Sequence, residues 1–228
     1  MIRTRENHTR SGVLRPVIFG INDGIVSMIA LVAGLAGAAL ENRVVIIAGL
    51  AEMFAGAISM ALGEYISLKS ELELKKNSKK VEITEIEEIP DIERKEIEDI
   101  YRKKGFRGEL LNKVVKTITS NKKVWLDTMI AEELKLGDGY DEDPKETGFF
   151  MGLAYILASL IPLLPFFFLP LNTGLMVAIP LAIITLFFVG SAKSHFTRKT
   201  WWKSGLEMVI IGAAATIAGY YIGKAFSL

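Results

Sequence analysis

Carboxylates recur in this chain where carboxylates are expensive. Asp23 stands in Phe19-Gly20-Ile21-Asn22-Asp23-Gly24, and Glu52 and Glu64 stand in the run that ends Met60-Ala61-Leu62-Gly63-Glu64-Tyr65. Both runs lie in apolar stretches long enough to cross a bilayer. An ionised group at bilayer depth costs about 2.5–3.5 kcal/mol on insertion scales, so it needs a reason to be there. Glu52, Gly56, Met60 and Glu64 step by four, which on a helix makes one slowly drifting stripe. Acids and a thioether on such a stripe suit a cation path, the reading preferred for Asp23 and Glu52. Acids near helix ends, or paired with hidden partners, are the other reading, and for Glu64 the two stand level.

A second acidic group lies outside the apolar stretches. Glu82/Glu85 and Glu93/Glu96 are two i, i+3 pairs flanking Pro90, and Met129 and Glu133 follow at helical spacing. If the chain folds at Pro90, four carboxylates converge, and Met129 with Glu133 can close the cluster. Converging carboxylates repel and raise one another's pKa, which a dication relieves. Oxygen ligands suit magnesium, calcium or manganese, and a thioether tilts the set toward iron and later metals. The alternative is a salt-bridged helix surface with nearby lysines, and spacing by itself favours that alternative.

The elements that position these groups follow from hydropathy. Half of the 228 residues are apolar, yet 23% are charged, and 27 basic against 26 acidic residues leave a net charge of +1. That combination implies membrane spans plus a charged soluble piece. There is no cysteine and there are only two histidines, which excludes disulfides, thiolate metal sites and a histidine-rich centre. No basic stripe with interleaved aromatics points to nucleic acid.

Five segments reach the roughly 20 apolar residues that a helix needs to span about 30 Å. They are residues 14–40, 44–68, 148–169, 171–190 and 205–226. The expected fold is an all-α membrane protein of five transmembrane helices with a helical cytoplasmic insert between spans two and three. Its domains are 1–68 (arm and spans one and two), 69–147 (insert) and 148–228 (spans three to five). Glycines cluster in spans one and five, which favours close helix packing, within the chain or in a dimer. Arg3, Arg5, Arg10 and Arg15 lie in the N-terminal arm, residues 1–15, and Lys193, Arg198, Lys199 and Lys203 lie in the expected loop 191–204. The positive-inside rule then puts the N-terminus and the insert in the cytoplasm and the C-terminus outside. Cysteine-free, Lys/Glu/Ile-rich composition leans to a prokaryotic cell membrane.

Within the insert, Lys75, Lys76, Lys79 and Lys80 form a basic collar. Residues 81–89 read as helix rather than strand, and Pro90 ends them. Asp91 is expected to cap a helix over 92–104 that stops at Gly105. A helix over 109–119 carries Leu110, Leu111, Val114, Val115 and Ile118 as its apolar stripe, and Asn121 caps a last helix to residue 136. The acidic loop 137–144 lacks the ordered ligand spacing of a calcium loop and reads as a linker.

An enzyme fits poorly. There is no nucleophile–base constellation, no phosphate-cradling glycine loop and no HExxH, and the Glu-x-x-His pairs of a di-iron centre are missing. No resident cofactor is expected.

In their order, several motifs carry a resemblance over nearly the whole chain. They are Gly-Ile-Asn-Asp-Gly at 20–24, Met-Ala-Leu-Gly-Glu-Tyr at 60–65, a glutamate-rich insert with Trp-Leu-Asp-x-Met at 125–129, and three further spans. The sequence resembles the vacuolar iron transporter family. That resemblance implies a five-span homodimer moving ferrous iron, with manganese or zinc as further cargo, out of the cytosol in exchange for protons. It implies Asp23 and Met60 as lining of the path, with Glu52 nearby and Glu64 further along the stripe. The insert would be a metal-binding domain with acidic ligands Glu82, Glu85, Glu93, Glu96 and Glu133 and soft ligand Met129. One departure stands out: members with this domain can carry two adjacent methionines where this chain has Met129-Ile130, which opens the door to manganese and broader divalent handling. An uncoupled divalent-cation channel and a non-transporting metal sensor are the rival functions.

Overall fold

The computed structural model describes residues 11–134, 142–197 and 199–226. Arg3, Arg5, Arg10, Arg198, Leu136 and residues 137–141 of the acidic loop lie outside them. The described residues form nine helices and no strand: α1 (Ser11–Gly37), α2 (Asn42–Glu88), α3 (Pro90–Lys103), α4 (Gly108–Thr119), α5 (Lys122–Glu132), α6 (Pro144–Leu163), α7 (Pro165–Phe168), α8 (Leu171–Thr197) and α9 (Trp201–Ala225). The chain divides into two compact units, residues 1–66 with 142–228, and residues 67–141.

Among the described residues, five helices are long and apolar enough to cross a membrane: Gly12–Gly37, Asn42–Glu88, Pro144–Leu163, Leu171–His195 and Trp201–Ala225. The second has 47 residues. At 1.5 Å per residue it is about 70 Å long, more than twice a hydrocarbon core, so only its apolar first half is a span. In the larger unit α1 is the central helix, packed against α6, α8 and α9. Ile25, Met28, Ile29 and Val32 of α1 are fully buried in a core with Phe166, Ala178, Leu186 and Met208. The α1–α6 approach is close because glycine faces backbone. A Cβ on Gly20 would stand 2.6 Å from the Met151 carbonyl oxygen, and one on Gly24 would stand 2.7 Å from that of Tyr155. Gly34 of α1 lies against Gly219 of α9 in the same way, so the glycine clusters of spans one and five serve packing within the chain. Phe54, Ile58, Leu62 and Ile66 are exposed along one side of α2, as a lipid-facing surface would be.

The span ends differ from the sequence expectation. Span two starts at Asn42, not after a 41–43 turn, and the Asn42 amide donates to the Phe166 carbonyl at 2.7 Å. Span three starts at Pro144, where the Asp143 carboxylate caps the Lys145 N–H at 2.9 Å. It ends at Leu163, because Pro165 has no N–H to continue the ladder, and 165–168 form the separate turn α7. Span four does not stop at 190. Residues 191–197 contain no glycine or proline and carry α8 on to Thr197, and with α9 starting at Trp201 most of the expected 191–204 loop is helix. Span five begins at Trp201.

The smaller unit is built from the end of α2 with α3, α4 and α5. Residues 81–88 are helical and continuous with span two. Pro90 occupies the first turn of α3, where its missing N–H costs nothing. The residue before the helix is Ile89, without a side-chain cap, so Asp91 is not the cap; it lies in the first turn, where an acid suits the helix dipole. Gly105 takes φ +101° just past the end of α3, a conformation that glycine adopts freely. The Asn121 side chain accepts from the N–H groups of Lys123 at 2.9 Å and Val124 at 3.2 Å, capping α5. The core gathers Ile86, Ile97, Leu111, Val115, Ile118, Trp125 and Met129. Leu110, placed on the α4 stripe by sequence, is instead exposed. Of the basic collar, Lys75 pairs with Glu71 at 2.7 Å.

Candidate metal centre

Folding at Pro90 brings Glu82 of α2 beside Glu93 of α3, and the end of α5 adds Glu133. One carboxylate oxygen from each lies within 4.8 Å of the other two. Glu82 and Glu93 are each only 3% exposed, whereas Glu133 is exposed. Half-buried Glu85 and Glu96 stand close enough to add repulsion. The apolar faces of the helices fix this arrangement: Ile86 follows Glu82 by one turn, and Ile97 follows Glu93 by one turn, and both are buried.

Burial first, then a hydrogen bond with Glu93 and repulsion from Glu93, Glu133 and Glu85, pushes Glu82 up to about 8. Partial desolvation followed by repulsion from Glu96 and Glu93 brings Glu133 to about 7. Burial and the charges of Glu96 and Glu85 also raise Glu93, against the lowering effect of its hydrogen bond with Glu82. Oε1 of Glu82 and Oε2 of Glu93 are buried without a hydrogen-bond partner among the described residues. Bases of the same unit pair with other acids: Lys104 with Glu132, Lys122 with Glu87 at 3.2 Å, and Arg102 with Glu98 and Asp99. The salt-bridged surface that spacing alone favours is thus made by other acids. Buried carboxylates with unpartnered oxygens are costly, and a divalent ion is a partner that would relieve them. Met129 is completely buried in the apolar core, one turn before Glu133 on the same helical face.

In the larger unit the intramembrane acids belong to a hydroxyl network. The Tyr155 hydroxyl of α6 donates to Oε1 of Glu52 at 2.6 Å and lies 2.8 Å from the Ser27 hydroxyl of α1. Ser27 donates to the Asp23 carbonyl at 2.6 Å, and Ser159 donates to the Gly24 carbonyl at 3.2 Å. Glycine at 56 makes room for the tyrosine, because a Cβ there would fall on the Tyr155 ring and hydroxyl. Asp23 and Glu52 are half-buried, and Oε2 of Glu52 has no partner among the described residues. Met60 and Glu64, also half-buried, lie further along α2 and outside this network.

A model of the VIT family matches residues 14–224, nearly the whole chain. The chain belongs to the VIT family. The vacuolar iron transporter 1 of Tulipa gesneriana is 37% identical over 222 residues, covering 96% of this chain and 90% of that protein. That of Arabidopsis thaliana is 35% identical over 222 residues, covering 97% and 89%. The vacuolar iron transporter of Plasmodium falciparum (isolate 3D7) is 34% identical over 230 residues, covering 96% and 84%. Family membership and five apolar helices make this a multi-pass integral membrane protein, and its relatives are named as transporters, not enzymes.

For this VIT-family chain, sequence reasoning missed Tyr155 and Ser27. A signal was present. Tyr155 and Ser159 are an i, i+4 polar pair in the otherwise apolar run 148–161, and Gly24 opposite them leaves space for both.

Proposed function

We propose that this chain exports ferrous iron from the cytosol across its membrane in exchange for protons, with manganese and zinc as further substrates. The iron-transport names of its relatives support the cargo. The observation that carries the capture step is the trio Glu82, Glu93 and Glu133, with oxygens within 4.8 Å and no base among the described residues to neutralise it. Glu85 and Glu96 complete the carboxylate set, and Met129 supplies the soft contact. The insert, residues 69–147, is the metal-binding domain and faces the cytoplasm. The protein works as a homodimer in a prokaryotic cell membrane, with the C-terminus outside.

Transport runs past Asp23, Glu52 and Met60, with Glu64 at the insert-proximal end of the same stripe. The Tyr155 hydroxyl donates to Glu52 and is joined through Ser27 to the Asp23 carbonyl, so one polar chain connects the two acids that the path would use. Coordination requires the ionised carboxylate, so metal entry releases a proton.

The test is metal flux in proteoliposomes with iron, manganese, zinc and calcium at two imposed pH gradients. Iron uptake that rises with the gradient, and that Asp23→Asn abolishes, is the expected result. Full proton-coupled uptake by Asp23→Asn refutes the path. Flux indifferent to the gradient identifies a channel, and metal binding without flux identifies a sensor.

A further inference from the structure

We propose that the insert binds a small, multiply charged oxyanion, a polyphosphate or a polycarboxylate, in the groove between α3 and α4. The groove has a volume of about 550 Å³, within the range of about 300–1,000 Å³ usual for ligand sites. Arg94 and Glu98 of α3, one helical turn apart, form one bank. Asn112, Lys116 and Thr119 of α4, with Ser120 just past its end, form the other. Val115, buried in the core of the insert, is the one apolar residue of the wall. None of the metal trio lines this groove, so the assignment stands or falls apart from the transport reading.

The charge of the occupant follows from which wall groups are already engaged. Glu98, the one acid of the wall, accepts a hydrogen bond from Arg102, which lies outside it. The two hydroxyls spend their protons on backbone: Thr119 donates to the Val115 carbonyl at 3.0 Å and Ser120 to the Thr117 carbonyl at 2.8 Å. The donors are in the opposite condition. Lys113 of α4, outside the wall, pairs with Glu109 at 3.2 Å. Lys116 makes no ion pair, and the Asn112 amide no hydrogen bond, among the described residues. The ion pair of Arg94 is to Asp91, at 3.5 Å through Nη1 alone, and that carboxylate is 94% exposed. Most of the five N–H donors of a guanidinium are therefore left for a ligand. A wall with its acid neutralised and two cations open selects an anion, and the planar fork of arginine fits carboxylate and phosphate oxygens. Because Arg94 and Lys116 stand on opposite banks, the anion needs acceptors at both ends, which a single small halide lacks. No aromatic ring of the wall offers a nucleobase a stacking surface, so a nucleotide is the poorer fit.

The test is isothermal calorimetry of the full-length, detergent-purified protein, stripped of metal on a chelating resin. It is titrated with pyrophosphate and with citrate, against sodium chloride of matched ionic strength. Saturable binding of one anion per chain is expected. Pyrophosphate alone identifies a phosphate ligand, citrate alone a carboxylate ligand, and both together the shared oxyanion chemistry; each of these supports the site. Arg94→Gln combined with Lys116→Gln should weaken binding roughly tenfold or more, as the loss of two charge-assisted contacts implies. Asn112→Leu, which removes a neutral donor, should weaken it about threefold. All three side chains are exposed, so the substitutions leave the core of the insert intact. Heats no larger than those of sodium chloride overturn the proposal, as does unchanged affinity in the Arg94/Lys116 double variant. If Glu82→Gln instead abolishes anion binding, the anion sits on residual metal at the trio and the proposal falls.

Discussion

The two acidic regions of this molecule handle the same liability in opposite ways. In the insert, Glu82, Glu93 and Glu133 converge with their repulsion left standing, and two buried oxygens go without a partner. In the membrane unit, Glu52 receives the Tyr155 hydroxyl, and Ser27 links that hydroxyl to the backbone at Asp23. The surroundings account for the difference. Water reaches the exposed Glu133, so hydrated cations and protons can enter and leave that cluster. Among apolar spans no such solvent is available, and a carboxyl needs fixed hydroxyls to stand in for it. One region leaves its carboxylate repulsion standing beside solvent; the other pairs its acid with fixed hydroxyls.

The strongest way to break this comparison is Glu82→Gln with Glu93→Gln. If the two carboxylates hold the metal as proposed, removing both should weaken iron or manganese binding by the detergent-purified protein by roughly a hundredfold or more, since even outer-shell changes cost about 10–100-fold. Isothermal calorimetry checks it. The same pair should raise the melting temperature of the metal-free insert, because the repulsion disappears. Unchanged affinity would return the cluster to an ordinary surface.

Next in size is a pH effect. Glu82 at about 8 and Glu133 at about 7 hold protons that their unfolded counterparts, near 4.5, have lost. Between those values the folded state binds more protons than the unfolded state, so stability falls as pH rises. The metal-free insert should therefore lose amide-exchange protection between pH 5 and 8, and divalent metal should restore it most at the upper end. A rise in protection with pH would contradict the arrangement.

Tyr155→Phe sharpens the other half. It strips Glu52 of its donor while keeping the ring over Gly56, and a buried polar group left unpaired costs about 1–3 kcal/mol. Gradient-driven flux should fall about tenfold while metal binding by the insert stays unchanged in calorimetry. Equal loss of both would mean that the two regions are not separable in function. Smallest is Lys122→Ala. It breaks the exposed pair with Glu87, and both stability and metal affinity should move by no more than about 0.5 kcal/mol in thermal unfolding and calorimetry. A large effect would make the surface ion pairs part of the centre after all.

The sequence by itself determined the number and helical character of the spans, because about 20 apolar residues are both needed and sufficient to announce one. It also determined the stop at Gly105 and the Asn121 cap, which depend on a residue's own conformation and hydrogen-bonding reach. It named the acids on both stripes, since a charge in an apolar run is visible without a fold. Span ends were less legible: nothing in residues 191–197 says whether a polar helix will outrun the membrane, and Asp91 had the right type for a cap but the wrong position. Only the tertiary structure decided which distant acids keep company with bases, because Lys104 and Lys122 meet Glu132 and Glu87 across helices. It alone joined Tyr155 to Glu52, 103 residues apart in the chain. Local chemistry is written in neighbours along the chain, whereas a site made of three helices exists only once their apolar faces have been buried together.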